Sequence, residues 1–299
     1  MSVTVAAERL LAMPPIETRH VYDRRDTILY ALGVGADELR FVYEEGLEAL
    51  PTMAAVLAHP GFFWREPALG VDWKRILHGA TEIILERPLP VAGTVHGRTT
   101  IDALVDKGAE KGAIALQTRT IHDEAGTLLA TVRNTSMLRG NGGFGGSPDG
   151  APPPHPVPDQ RPPDHVADFA TAANQALIYR LSGDWNPLHI DPAVAAAAGF
   201  DRPILHGLCT YGVAGRAIVD LLCGGRPARL RRIAARYSRP VYPGDVIRTE
   251  IWNEGPGRAA VRGVRPWLTA VSSPLAPMCR SAACSGARWP PPTPGSRRG

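Results

Sequence analysis

The residues of this chain best equipped for chemistry sit in "YRLSGDWNPLHIDP", residues 179–192. Asp184, Asn186 and His189 fall within six positions there, around an Asn-Pro turn. A residue before proline is biased away from helical dihedrals, so Asn186 suits the cap of a helix starting at Pro187. His189 then lies in the first turn, near the positive end of the helix dipole, which favours a neutral imidazole able to take a proton. Asp184, just before the turn, can reach the same small cavity. An acid–base pair holding one water could add it across a double bond, or remove it in reverse. The same spacing also fits a solvated turn, with Asn186 only a cap and His189 a satisfied helix histidine. The glycine before Asp184 and the tight Asn-Pro turn favour function.

Composition limits what can position these groups. A chain of 299 residues can bury the cores of two ordinary domains, and 44% hydrophobic with 21% charged residues is a globular balance. Nothing approaches the roughly 20 consecutive apolar residues of a membrane helix. The start, "MSVTVAAERLLAMPPIETRH", lacks the basic and apolar regions of a secretory signal, so the expected location is cytoplasmic, with no membrane partner. The four cysteines (Cys209, Cys223, Cys279, Cys284) have no zinc-like spacing, and Cys209 and Cys223 fall in apolar runs as reduced, buried thiols. The net charge of +4 comes from six arginines after residue 258; without them the chain is slightly acidic. Nucleic acid is therefore not an expected partner.

Residues 141–163 divide the chain. "GNGGFGGSPDGAPPPHPVPDQRPPD" (140–164) is Gly-rich and then Pro-rich, and reads as a semi-rigid spacer. Its "GNGGFGG" runs into prolines rather than opening a helix, which argues against a phosphate loop. Before it, "RDTILYALGVGADELRF" is helical in pattern, with "GVG" ending the helix, and "LEALPTMAAVLA" (47–58) predicts a second helix. Four β-rich runs follow, separated by "LPVAG", "DKGAEKG" and "DEAG", the pattern of an antiparallel meander in an α+β fold. After the spacer comes a helix around "ANQALIYRL", then "DPAVAAAAGF" with Asp191 as cap, Pro192 at the first helical position and Gly199 as stop. A longer apolar helix, "HGLCTYGVAGRAIVDLLCGG", precedes more strands. "RPLPVAGTV" (87–95) echoes "RPVYPGDVI" (239–247), and "DKGAEKGAIALQTRTI" echoes "NEGPGRAAVRG". These echoes imply a duplicated helix-plus-sheet unit.

The motif "YRLSGDWNPLHIDP", followed by "FDRPILHGLCTYGVAGRA", resembles the R-specific enoyl-CoA hydratases, the hydratase 2 or MaoC-like family. The G-D-x-N-P-L-H core, the L-H-G and the helix after it occur in order. The first half is similar to the N-terminal half of two-domain members through "DTILYALGVGA", "ILHGATEI" and "LRGNGGFGG". The resemblance runs from about residue 20 to 262. It implies a double hot-dog fold of two repeats, each an antiparallel sheet wrapped around a central helix. Residues 1–140 would be a noncatalytic repeat that accommodates a long or bulky acyl tail, and 164–262 the catalytic one. Asp184 and His189 would orient and activate water, Asn186 would support it, and the Gly207 N–H would serve the thioester carbonyl. The implied reaction is hydration of a trans-2-enoyl-CoA to the (3R)-3-hydroxyacyl-CoA in fatty-acid or sterol side-chain breakdown. No metal or redox cofactor is required, coenzyme A being the substrate carrier, and the family makes a homodimer plausible. In the first half, Asp72 and His78 lie six residues apart without an Asn-Pro turn, and both read as structural.

The pattern stops after "PGRAAV". By analogy with "GTLLATVRNTSML" another strand should follow, but residues 263–299 hold no acid, no lysine and many prolines. They read as an out-of-frame translation of GC-rich coding DNA. If genuine, the tail leaves the second sheet without its last strand, or forms an extension that leaves the fold intact. Two further readings follow: a noncatalytic acyl-CoA-binding pseudoenzyme, and a hot-dog thioesterase. The second needs a carboxylate on the long central helix, where Asp220 is the one acid and lies near the end.

Overall fold

The computed structural model describes residues 7–158 and 160–264. Apart from Gly263 and Val264, the segment read as out of frame lies outside the described residues, as do Cys279 and Cys284. The first half comprises α1 (Ala7–Leu11), β1 (Ile16–Tyr22), α2 (Arg24–Gly33), α3 (Leu39–Val42), β2 (Ile76–Leu85), β3 (Gly93–Asp106), β4 (Ala113–Asp123) and β5 (Leu128–Leu138). The second comprises β6 (His165–Ala170), α4 (Gln175–Tyr179), α5 (Pro192–Ala197), α6 (Gly207–Leu221), β7 (Arg232–Arg236), β8 (Val246–Asn253) and β9 (Ala259–Val264).

Local chemistry explains the helix ends. Asp23 and Asp26 form a capping box at the start of α2, each side chain accepting the other's backbone N–H. The helix stops at "GVG" as read, Gly35 turning the chain at φ +73°. Asp191 caps α5 through the Ala193 and Val194 amides, and Gly199 ends it. The helix predicted over 47–58 is instead a buried 3₁₀ turn, Pro51–Ala55. Pro51 sets its first residue, and Ala58 follows at φ +47°, a conformation no α-helix contains.

Strand order is β1-β3-β4-β5-β2-β7 in one sheet and β6-β8-β9 in the other, every pair antiparallel. The predicted meander holds only for β3-β4-β5. Pro88 and Pro90 stiffen the link from β2 to β3 against a tight hairpin, and β2 pairs with β5 instead. The echoed segments occupy equivalent places: 87–95 carries the chain from β2 to β3, and 239–247 from β7 to β8. The order β6-β8-β9 repeats β1-β3-β4, while β7 has left its own sheet's core to pair with β2 of the first half. Among the described residues no strand joins β9 to β7, the place β5 fills between β4 and β2. The architecture is an α+β double hot-dog.

Helix α6 is the buried centre of the second half and touches the first closely. A Cβ at Gly212 would sit 2.3 Å from Val34 Cγ1, and one at Gly215 would sit 2.5 Å from Thr52 Cγ2. Glycine at both positions lets the helix reach the first repeat, and Arg216 then binds the Val34 and Gly35 carbonyls and Glu38. The Gly-rich part of the stretch read as a semi-rigid spacer is pinned to the first half. The buried Asp106 carboxylate accepts from the amides of Gly143 (2.7 Å), Gly145 (2.8 Å), Gly108 (2.9 Å) and Gly146 (3.3 Å). The loop thus folds its N–H groups around an acid of its own chain.

Candidate active site

The segment after α4 builds the site one turn at a time. Asp184 Oδ1 accepts from the Asn186 N–H at 3.2 Å, closing a short turn. Asn186 Oδ1 accepts from the Leu188 N–H at 3.1 Å, the predicted cap. The helix expected to follow is only a 3₁₀ turn, Pro187–His189, with His189 at its end. A three-residue turn has no macrodipole to speak of, so the predicted cause of a neutral His189 is wrong. Burial is the cause: the ring is 8% exposed, and desolvation holds its pKa below 6.5 against the opposing charge of Asp184.

The tautomer follows from one contact. His189 Nδ1 lies 2.9 Å from the Ile204 carbonyl, which can only accept. Nδ1 therefore carries the hydrogen and Nε2 keeps its lone pair. His206 stacks on this ring with centroids 3.7 Å apart and planes at 28°. Its Nε2 donates to the Asp184 carbonyl at 3.3 Å, and its Nδ1 is buried without a partner among the described residues. Burial first, and the neighbouring His189 second, bring the His206 pKa down to about 4.

Asp184, His189 and His206 place one ligand atom each within 4.8 Å of one another. A divalent ion could use that spacing, and a carbonyl on the other ring nitrogen is how metal-ligating histidines are commonly held. Against an ion stands the stacking, since rings at 28° point their in-plane lone pairs side by side rather than at one point. Gly207 follows His206 as the first residue of α6, where the N–H has no intrahelical acceptor. Of the four residues singled out in the sequence, Asp184 and Asn186 are hydrogen-bonded, His189 lies close to Asp184, and Gly207 follows His206, the ring stacked on His189.

Sequence reasoning did not find all of it. His206 was read only as part of L-H-G. The Trp185 ring, 57% exposed, lies under the Arg180 guanidinium at 4.4 Å beside the cluster. From the first half, the partly buried His78 feels the Asp184 charge, although desolvation dominates and lowers its pKa. Asp72 has no part in the site; its N–H donates to Asn141 in the Gly-rich loop. Asp220 is bound to Arg40 at 2.6 Å, so α6 offers no free carboxylate for a thioesterase. Cys209 and Cys223 are free and buried, as read, with Cys209 Sγ donating to the Gly33 carbonyl at 3.3 Å.

Comparison with known proteins matches residues 155–265 to the MaoC like domain and 20–140 to the MFE-2 hydratase 2 N-terminal domain. The chain is 47% identical over 246 residues to 3-hydroxyacyl-thioester dehydratase Y of Mycobacterium tuberculosis, covering 80% of this chain and 84% of that protein. It is 39% identical over 279 residues to the peroxisomal enoyl-CoA hydratase 2 of Arabidopsis thaliana, covering 83% and 87%. The crystal structure of a MaoC-like dehydratase from Phytophthora capsici superposes with a TM-score of 0.78 at 36% identity, covering 86% of this chain and 92% of that one.

Proposed function

Because the chain belongs to the MaoC-like hydratase 2 family, we propose that it hydrates trans-2-enoyl-CoA thioesters reversibly, giving (3R)-3-hydroxyacyl-CoA in β-oxidation. The observation that carries this reading is the tautomer of His189. With Nδ1–H on the Ile204 carbonyl, the Nε2 lone pair is the base; it shares a cluster with Asp184 and His206, and the Gly207 N–H is the next along the chain after His206.

In the hydration direction Asp184, His189 and the Asn186 amide hold one water. Nε2 takes a proton from it as its oxygen bonds to C3. The C2–C3 π electrons move toward C1, and the carbonyl oxygen becomes an enolate oxyanion. The Gly207 N–H, at a helix start, meets that charge; one such donor is worth on the order of 10²–10³ in rate. C2 then takes a proton from the acid–base pair, so OH and H of one water are both delivered. Dehydration is the same path reversed, so the relatives named hydratase and dehydratase differ in direction and not in chemistry. Coenzyme A rides as the thioester and no further cofactor enters a step.

The test is hydration of a medium-chain trans-2-enoyl-CoA, followed by loss of enone absorbance with chiral analysis of the alcohol. The 3R product is expected. No turnover from folded protein across short, long and steroid thioesters would instead favour an acyl-CoA-binding pseudoenzyme.

A further inference from the structure

The two halves meet along the β2–β7 ladder, with Ile83 opposite Ile233 and Ala80 opposite Arg236. Beyond its end β2 bulges. His78 stands opposite Ser136 of β5 and Ala80 opposite Thr135, so Gly79 is an extra residue. A bulge bends its strand and re-aims the side chains beside it. Tyr237, immediately after β7, donates its N–H to the Gly79 carbonyl at 3.0 Å and ties the bulge to the second half. The His78 ring then meets the Tyr237 ring edge-on, centroids 5.0 Å apart at 63°.

Two contacts complete a line to the site. On one side, His78 Nε2 lies 2.8 Å from Thr81 Oγ1 and 3.3 Å from Asn134 Oδ1, while Thr81 donates to that same Asn134 oxygen at 3.1 Å. The Asn134 oxygen only accepts and the Thr81 hydrogen is spent on it, so Nε2 carries a hydrogen and the ring is anchored to two strands. On the other side, Tyr237 lies against Gly207: a Cβ there would be 3.1 Å from Tyr237 Cδ1 and 3.3 Å from Cε1. Edge-to-face ring contacts are specific in angle, so an anchored imidazole fixes the phenol ring.

We propose that His78 is a positioning residue contributed by the first repeat: anchored by Thr81 and Asn134, it sets the Tyr237 ring, and that ring sets the Gly207 N–H against the thioester carbonyl. This rests on Gly207 as the oxyanion donor. It gives the first repeat, read from sequence as room for the acyl tail, a part in stabilising the transition state. The imidazole acts through another side chain, which explains why no Asn-Pro turn or acid partner accompanies it.

The experiment uses the full chain and (3R)-3-hydroxydecanoyl-CoA labelled with ¹³C at the thioester carbonyl. Infrared difference spectra read the carbonyl stretch of the bound product, and kinetics are run alongside. Wild type should shift the band to lower frequency than in solution. His78→Phe fills the same space without the Nε2 anchor. It should move the band at least halfway back and lower kcat about tenfold, with KM within about twofold and Tm near wild type. Tyr237→Leu should do the same, and carries the test if His78→Phe does not fold. A folded variant with the wild-type band and kcat overturns the brace while leaving the oxyanion reading standing. An unshifted band in active wild-type protein removes Gly207 as donor, and the brace with it.

Discussion

The imidazole of His189 lies flat on that of His206, ring centroids 3.7 Å apart, and both rings are buried. Protonating either would set a positive charge against its neighbour in a dry environment, so both stay neutral at pH 7. For catalysis this keeps the base form of His189 populated below 6.5, because burial lowers its pKa. The acid limb of kcat/KM against pH is expected below 6.5, with activity lost as pH falls through it. An acid limb above 6.5 would contradict the assignment.

Stability follows the same sign. The folded pKa of His206 is about 4 against 6.5 in the unfolded chain, so the unfolded state takes the proton first. His206 costs nothing above 6.5 and progressively weakens the fold between 6.5 and about 4. Thermal unfolding at pH 7.5, 6.0 and 5.0 should show a falling Tm, while replacing His206 with Gln should flatten the slope.

Asp184→Asn and His189→Ala each remove half of the water-activating pair. Each should lower kcat by about 10²–10⁴. Circular dichroism should match wild type, since both residues lie outside the α-helices and strands. Near-wild-type turnover in either variant would defeat the site.

Gly207→Ala places a methyl 3.1 Å from the Tyr237 ring. The ring must give by a few tenths of an ångström, and the N–H of residue 207 moves with it. We expect kcat to fall about tenfold or more and Tm by only a few degrees, read from steady-state kinetics beside calorimetry.

Gly212→Ala has the opposite profile. Its methyl would meet Val34 Cγ1 at 2.3 Å, at the closest approach of α6 to the first half. Overpacking of this kind costs about 1–3 kcal/mol, visible as a lower midpoint in urea.

Asp106→Ala strips the acceptor from four loop amides. It should cost about 1–3 kcal/mol in the same denaturation assay. Because Asp106 has no contact with the catalytic cluster, kcat should be unchanged in the folded protein.

What could be read from the sequence was what local rules decide. The Asn186 cap, the Asp191–Pro192 helix start, the "GVG" stop and the duplicated strand links all depend on neighbours a few residues apart. The grouping of Asp184, Asn186 and His189 depended on one turn. Contacts made across the fold were not legible. β2 pairs with β5 and β7 rather than with β3, and both partners lie far along the chain. The neutrality of His189 was anticipated for the wrong reason, because burial by Ile204 and His206 leaves no mark in the spacing around Pro187. His78 read as structural because its significance lies in a bulge and in a tyrosine some 160 residues later.

The β2–β7 ladder has a consequence for the chain as it is made. Ile83 and Ile233 are partners 150 positions apart. At about 5–20 residues per second, the outer edge of β2 leaves the ribosome roughly 8–30 s before β7 exists to cover it. An uncovered edge strand is a template for unwanted pairing. β2 meets that interval with Glu82 on the strand and the Gly79 bulge near its start, which make the edge charged and irregular. When β7 arrives, Arg232 bonds Glu82 at 2.5 Å, and the feature that kept strangers off the nascent edge receives the proper strand.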